Sequence, residues 1–260
     1  MAAMKTLDLN CDMGEGFGVY AMGDDEALLA HVNSANIACG FHAGDPGTMA
    51  RTVRAAAARG VAVGAHPGLP DLQGFGRRAM ALSPAEAYDL VVYQIGALQA
   101  VAAAAGTRVR HVKTHGALDN MAVVDEKLSE AIGRAVRDVD SSLLFYAMSG
   151  SITATVARGL GLRVVSVVYA DRSYQDDGTL TPRRQPGAMI TDLQQSVAQV
   201  RDMLERGFVR AQSGREIPIE AQALSLHGDQ PGALAFANGL TQALRAGGVT
   251  LAPAAGAPAG

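Results

Sequence analysis

The chain has 260 residues, 48% of them hydrophobic and 18% charged, with 30 glycines and a formal net charge of −3. That length suits one large α/β domain or two small ones, and the mild negative charge gives no reason to expect a nucleic-acid partner or an anionic membrane surface. Cys11 and Cys39 fit no metal spacing, the opening residues lack a signal-peptide core, and the most apolar helical stretch, 97–105, is too short and alanine-rich to cross a bilayer, so a reduced cytoplasmic protein is expected.

In chain order the pattern reads strand 5–10, helix 24–31, strand 33–38, helix 48–59, strand 61–65, helix 84–105, strand 109–113 and helix 126–136. It continues with strand 143–147, helix 151–159, strand 163–168, helix 193–206, strand 223–226 and helix 231–246, and the short run 249–251 reads as an eighth strand. Several helical patterns stop at a glycine, at Gly60, Gly106, Gly159, Gly207 and Gly247, the residue that tolerates the left-handed turn after a helix. Strict alternation of strand and helix argues for a parallel sheet with right-handed crossovers. No linker-like stretch interrupts it, so residues 1–251 are expected to form a single barrel domain, followed by a flexible Ala/Gly/Pro tail at 252–260.

Side chains alternate across a strand, so strand faces separate a barrel from an open sheet. Asp8, Asn10 and Asp12 share one face of the first strand, opposite Leu7 and Leu9; Ala62, Gly64 and His66 oppose Val61 and Val63; His111, Lys113 and His115 align; and Ser225, His227 and Asp229 oppose Leu224 and Leu226. A central strand of a doubly wound sheet is apolar on both faces. One apolar and one polar or small face fits an irregular, seven-stranded β/α barrel with a polar interior; the eight-stranded barrel is the second choice and the open sheet the third.

The polar residues collect at the C-terminal ends of these strands, where the loops of a parallel α/β protein converge on one crevice. Asp12 is a candidate catalytic acid or base, with Asn10 and Glu15 beside it as substrate contacts, whereas Asp8 reads equally as a structural partner of an inward Lys113. His42 is a candidate catalytic group; Asp45 is a candidate substrate contact that also reads as the N-cap of the next helix. Pro67 forces an extended backbone at His66, and Arg77 could clamp a carboxylate or phosphate or simply be solvated. Lys113 and His115 are catalytic candidates with Asn120 just beyond, while His111 reads as structural and His31 as a surface or packing residue. Asp171 and Arg172 open a loop of about twenty residues, a length that suggests function. His227 and Asp229 end the seventh strand, and a divalent metal, if bound, would fall to Asp12, His42, His66 and His227. No G-x-S-x-G elbow or cysteine nucleophile signature is present.

Seven ordered blocks, DLNCDMGEGFG, NIACGFHAGDP, GAHP-x-x-PD, GFGRR, VK-x-HGAL-x-N, ADR-x-Y and HGD, resemble the LamB/YcsF family over nearly the whole chain. The resemblance implies a β/α barrel of the glycoside hydrolase/deacetylase type. It also implies a 5-oxoprolinase activity, ring opening of 5-oxoproline to glutamate coupled to ATP (with Mg) and requiring partner subunits B and C. The sequence departs from the family pattern where Thr114 and Asp119 stand for Pro and Tyr, where Gly68 and Leu69 stand for Ser and Tyr, and where Val167 stands for Glu. These departures leave a different lactam or amide substrate open. Two other classes compete: a metal-dependent amidohydrolase or deacetylase acting alone, and a non-catalytic lactam- or sugar-binding module. Homo-oligomerisation is left open by the sequence.

Overall fold

The computed structural model describes residues 6–226 and 232–254. Strands β1 (Thr6–Met13), β2 (Ser34–Ala38), β3 (Ala62–His66), β4 (Val109–Lys113), β5 (Leu144–Met148), β6 (Arg163–Tyr169) and β9 (Ala223–Leu226) pair side by side, all parallel. Strand β9 pairs with both β6 and β1, which closes a barrel of seven strands. The expected eighth strand, β10 (Thr250–Leu251), pairs only with Thr6 and Leu7 at the foot of β1.

Helices α1 (Asp25–Leu28), α2 (Pro46–Ala58), α3 (Pro84–Ala104), α4 (Gly116–Ala122), α5 (Glu126–Val139), α6 (Ile152–Gly159), α7 (Leu193–Arg201, continued by a π turn at Asp202–Arg206) and α8 (Ala233–Ala246) fill the crossovers. Their starts follow local chemistry. Asp45 caps α2 by accepting from the Thr48 N–H, with Pro46 in the first turn, and Ser83 and Glu86 form a reciprocal capping box at α3. Helix α3, 21 residues long, is long and apolar enough to cross a membrane by length and composition alone, but it buries Leu90, Val91, Ile95 and Leu98 in the core. The sequence pattern overstates the first helix, which is one turn, and misses both α4 and an antiparallel ribbon of β7 (Phe208–Arg210) and β8 (Glu216–Pro218). Helix α4 is hidden because its seven residues are too few for a periodic signal.

The two faces of β1 decide the architecture. Leu7, Leu9, Cys11 and Met13 are buried in the apolar core, and Asp8, Asn10 and Asp12 point into the barrel. The interior is a polar column. At its foot Asp8 accepts from Tyr146, from Ser34 Oγ (2.7 Å) and from the Ala254 N–H (3.0 Å). The expected Asp8–Lys113 pairing is therefore absent: Asp8 sits two layers below the lysine. In the middle, Asn36 donates to Asn10 Oδ1 (2.9 Å), and its own Oδ1 faces His111 Nε2 at 2.8 Å. At the top, Lys113 Nζ lies 2.8 Å from Asp12 Oδ1. Gly64 on β3 makes room for this column, because a Cβ there would come within 2.0 Å of His111 Nε2. The C-terminal segment closes the foot, with the Ala252 N–H on the Leu7 carbonyl (3.1 Å) and Ala254 on Asp8; the remainder of the expected tail, residues 255–260, lies outside the described residues.

Burial holds the His111 imidazole down at about 3, against 6.5 for a free histidine, so the folded protein refuses a proton that the unfolded chain accepts. His111 thus withdraws stability as the pH falls from 6.5 toward 3. Replacing it with glutamine should flatten the dependence of unfolding free energy on pH by up to about 1.4 kcal/mol per pH unit between roughly pH 4 and 6, measured by urea melts across that range.

Candidate active site

Each functional side chain leaves the C-terminal end of a strand. Asp12 lies at the end of β1 and Glu15 just beyond it, His42 follows β2, His66 ends β3, Lys113 ends β4, and His115 stands two residues further, as the N-cap residue of α4. Asp12, His66, Lys113 and His115 form the floor of a cavity of about 960 Å³, lined also by Thr114, Asp119, Asn120 and Tyr169, and Glu15 and His42 are buried directly behind His66 and His115. Its upper wall carries Arg77, Arg78, Arg172, Arg183 and Arg184.

The Lys113–Asp12 pair is buried, with side chains 6% and 9% exposed. A buried ammonium is costly unless paired, and here Asp12 is itself steadied by the Asn36 amide at 2.9 Å. Asp12 Oδ2 lies 3.3 Å from His66 Nε2.

The imidazoles are oriented by backbone carbonyls. His66 Nδ1 lies 2.7 Å from the Lys113 carbonyl, and His115 Nε2 lies 2.8 Å from the Phe75 carbonyl. A carbonyl oxygen only accepts, so both nitrogens carry hydrogen. In the neutral rings the other nitrogens, His66 Nε2 and His115 Nδ1, then bear lone pairs, and these two atoms face each other at 2.9 Å. Two lone pairs at that distance call for a cation between them, either a proton on one ring or a metal ion. The His42 ring stacks on that of His115 (centroids 3.8 Å apart, planes 5° from parallel). Neither His42 nitrogen makes a hydrogen bond, and Nε2 lies 3.4 Å from Glu15 Oε1. Burial, followed by the neighbouring histidines, pushes His42 and His115 well below the usual histidine range, which keeps them neutral and able to ligate.

Glu15, His42, His66 and His115 present ligand atoms all within 4.8 Å of one another and could hold a metal ion. Three imidazoles and one carboxylate suit zinc or another first-row ion better than magnesium. Glycine is needed beneath His42: a Cβ at Gly68 would come within 2.5 Å of its Nδ1, and one at Gly76, where φ is +61°, within 2.6 Å of its Cβ.

The remaining sequence candidates divide. Asn120 and Arg77 line the cavity, and Arg77 also lies 4.7 Å over the Phe75 ring. Arg172 reaches the cavity but donates to the carbonyls of Thr181 (2.5 Å) and Ala188 (3.3 Å), so it ties down the long loop after β6. Asp171 is buried at the root of that loop, away from the cavity lining. Asn10 lies in the barrel interior below the cavity, its amide on the Leu224 carbonyl at 3.2 Å. Asp45 serves as a cap, accepting from Thr48 and from the Gly18 N–H (2.9 Å), and does not line the cavity. His227 and Asp229 lie outside the described residues. Of the four metal candidates, His42 and His66 fall in the ligand cluster, Asp12 is instead engaged by Lys113, and Glu15 and His115 complete the set.

The sequence reading missed Asn36, Tyr169, Arg183 and Arg184. Asn36 shares the inward face of β2 with Ser34, an alternation that could have exposed it; the arginine pair lies in the long loop already suspected of function.

Comparison with known proteins agrees with this fold. The LamB/YcsF family model matches residues 7–259. A protein of Bordetella parapertussis named as the A subunit of 5-oxoprolinase is 59% identical over 94% of this chain and 97% of its own length. Its namesake from Bacillus subtilis is 53% identical over 95% of this chain and 96% of its own. The crystal structure of a lactam utilization protein from Thermus thermophilus superposes with a TM-score of 0.90 at 45% identity, over 96% of this chain and all of that one. A putative cellobiose-phosphate cleavage protein from Enterococcus faecalis shares the fold, with a TM-score of 0.57 at 17% identity, over 96% of this chain and 97% of its own.

Replacing Lys113 with methionine strands the Asp12 carboxylate in the barrel and should cost about 3–5 kcal/mol of stability in denaturant melts. Adding Asp12→Asn should recover much of that loss; a single variant as stable as the parent would show that the pair is not structurally coupled.

Proposed function

The chain belongs to the LamB/YcsF family, and on that premise we propose that it is the A subunit of an ATP-dependent 5-oxoprolinase, opening 5-oxoproline to L-glutamate together with partner subunits B and C in the cytoplasm. The observation that carries this reading is the meeting, in one cavity, of an arginine-rich wall with a floor of Lys113, Asp12 and the imidazoles of His66 and His115. A small cyclic amide bearing a carboxylate matches both surfaces: the guanidinium groups suit the anion, and the floor suits the ring carbonyl.

An unactivated amide is a poor electrophile. General acid–base catalysis supplies roughly 10²–10⁴-fold, against the 10⁶ or more typical of enzymes. Coupling to ATP fills the gap if a partner subunit places the γ-phosphoryl group, with Mg, on the lactam oxygen. The arginine wall then faces the added charge. In this scheme Asp12 takes the proton of the attacking water. Lys113, held in place by Asp12 Oδ1, faces the phosphorylated oxygen and the negative charge its phosphoryl group adds. The proton on Asp12 then passes to the departing ring nitrogen, which leaves an acyl phosphate that a second water hydrolyses to L-glutamate and inorganic phosphate. His66 and His115, fixed by backbone carbonyls, orient the water.

A metal ion held by Glu15, His42, His66 and His115 would act as a Lewis acid toward the amide carbonyl. That ligand set favours a second reading, metal-dependent amide hydrolysis by this chain without ATP.

Purified chain with subunits B and C, 5-oxoproline and ATP should release glutamate, and Lys113→Ala or His66→Ala should slow release by about 100-fold or more. Equal rates in the variants would refute the roles assigned to Lys113 and His66; release by the chain alone, without ATP, would favour the second reading. Metal-stripped protein titrated with Zn²⁺ in a calorimeter should bind one ion. At about a hundredfold excess over Kd the ion should add close to 3 kcal/mol of stability, and His42→Ala should abolish both effects. Absence of uptake by the parent protein would remove the metal from the scheme.

A further inference from the structure

Thr114 and Asp119, on either side of His115, touch one another inside the cavity: Thr114 Oγ1 donates to Asp119 Oδ1 at 2.6 Å. Both line the space above Lys113, and Asp119 lies close enough to Lys113, His66, Asp12 and Tyr169 to feel their charges. We propose that Asp119, held in place by Thr114, accepts the ring N–H of the lactam and so makes an unsubstituted ring nitrogen a requirement of the site. This rests on the reading of the cavity as a lactam site.

The argument is one of complementary donors and acceptors. A 5-oxoproline molecule presents a carboxylate and a ring carbonyl, which accept, and a single N–H, which donates. The arginines of the upper wall and Lys113 can only donate, so they can meet the two acceptors but not the N–H. An acceptor must come from elsewhere on the floor. Asp12 is engaged by Lys113 and Asn36, and the lone-pair nitrogens of His66 and His115 face each other at 2.9 Å, not the cavity. Asp119 has no Lys or Arg within ion-pair distance among the described residues, and the Thr114 hydroxyl occupies only one of its roughly four lone-pair sites. The threonine fixes which way the carboxyl points, and the second oxygen remains for a ligand. Burial pushes the Asp119 carboxyl up, with Thr114 opposing, as expected for an acceptor that has lost water and stands to gain from a ligand N–H.

The variant Asp119→Asn is the sharp test. With its single oxygen held by the Thr114 hydroxyl, the substituted amide would turn its NH₂ toward the ring, a donor against a donor. Binding of 5-oxoproline and of its N-methyl derivative to the full chain is measured by calorimetry, with subunits B and C present, for the parent protein, Asp119→Asn and Asp119→Ala. The parent should prefer the unsubstituted lactam by about tenfold or more, the scale of one hydrogen bond to a charged group. Both variants should bring the two ligands to within about twofold of each other. Equal binding by the parent, or a preference that survives in Asp119→Ala (which would mark simple crowding of the methyl group), overturns the proposal and leaves the lactam reading intact. If the parent binds neither compound, the lactam reading itself falls and takes this inference with it. Far-ultraviolet spectra and thermal melts of both variants confirm that the comparison is between folded proteins; should one variant fail to fold, the other carries the test.

Discussion

A lysine ammonium shut inside a barrel needs a carboxylate, and the pairing of Lys113 with Asp12 is the constraint from which the rest of the site follows. The pair joins β1 to β4, strands that are not neighbours in the sheet, across the barrel interior. Asn36 on β2 braces Asp12, His111 on β4 braces Asn36, and the backbone of Lys113 itself holds His66. A single misplaced register step in any of these strands would turn its inward side chains outward and dissolve the arrangement. From His111 through Asn36 and Asp12 to Lys113 the polar interior is thus a chain of mutual supports and not a collection of separate ion pairs.

The imidazoles owe their arrangement to the main chain more than to other side chains. Carbonyls at the end of β4 and in the β3–α3 loop dictate which nitrogen of His66 and His115 bears hydrogen, and so which bears a lone pair. Stacking against His115 sets the plane of His42, and glycines at 68 and 76 admit its ring.

Much of the barrel was legible in the sequence because the alternation of β1 separates leucines from acids without ambiguity, and the same holds at β3 and β9. Convergence of Asp12, His42, His66, Lys113 and His115 follows from strand ends alone. The ligand set was not legible in full, because side-chain reach decides it: Lys113 claims Asp12, and Glu15, three residues beyond, reaches His42 instead. Asp45 shows the converse, a strand-end acid consumed by its own helix. The polar contact between Thr114 and Asp119 was invisible for another reason: five residues apart, they are joined by the turn into α4, a helix too short to leave a periodic trace.

The stitching at the foot of the barrel bears on biosynthesis. Strand β1 gains its second neighbour only from β9, and its lower end only from β10 and the residues up to Ala254. A chain emerging from the ribosome therefore carries β1 with one side bare until residues 223–254 have been made. Such an edge invites pairing with another nascent chain. The aspartate at its foot, Asp8, would slow that by keeping a hydrated charge on the exposed strand until Ala254 arrives to cover it.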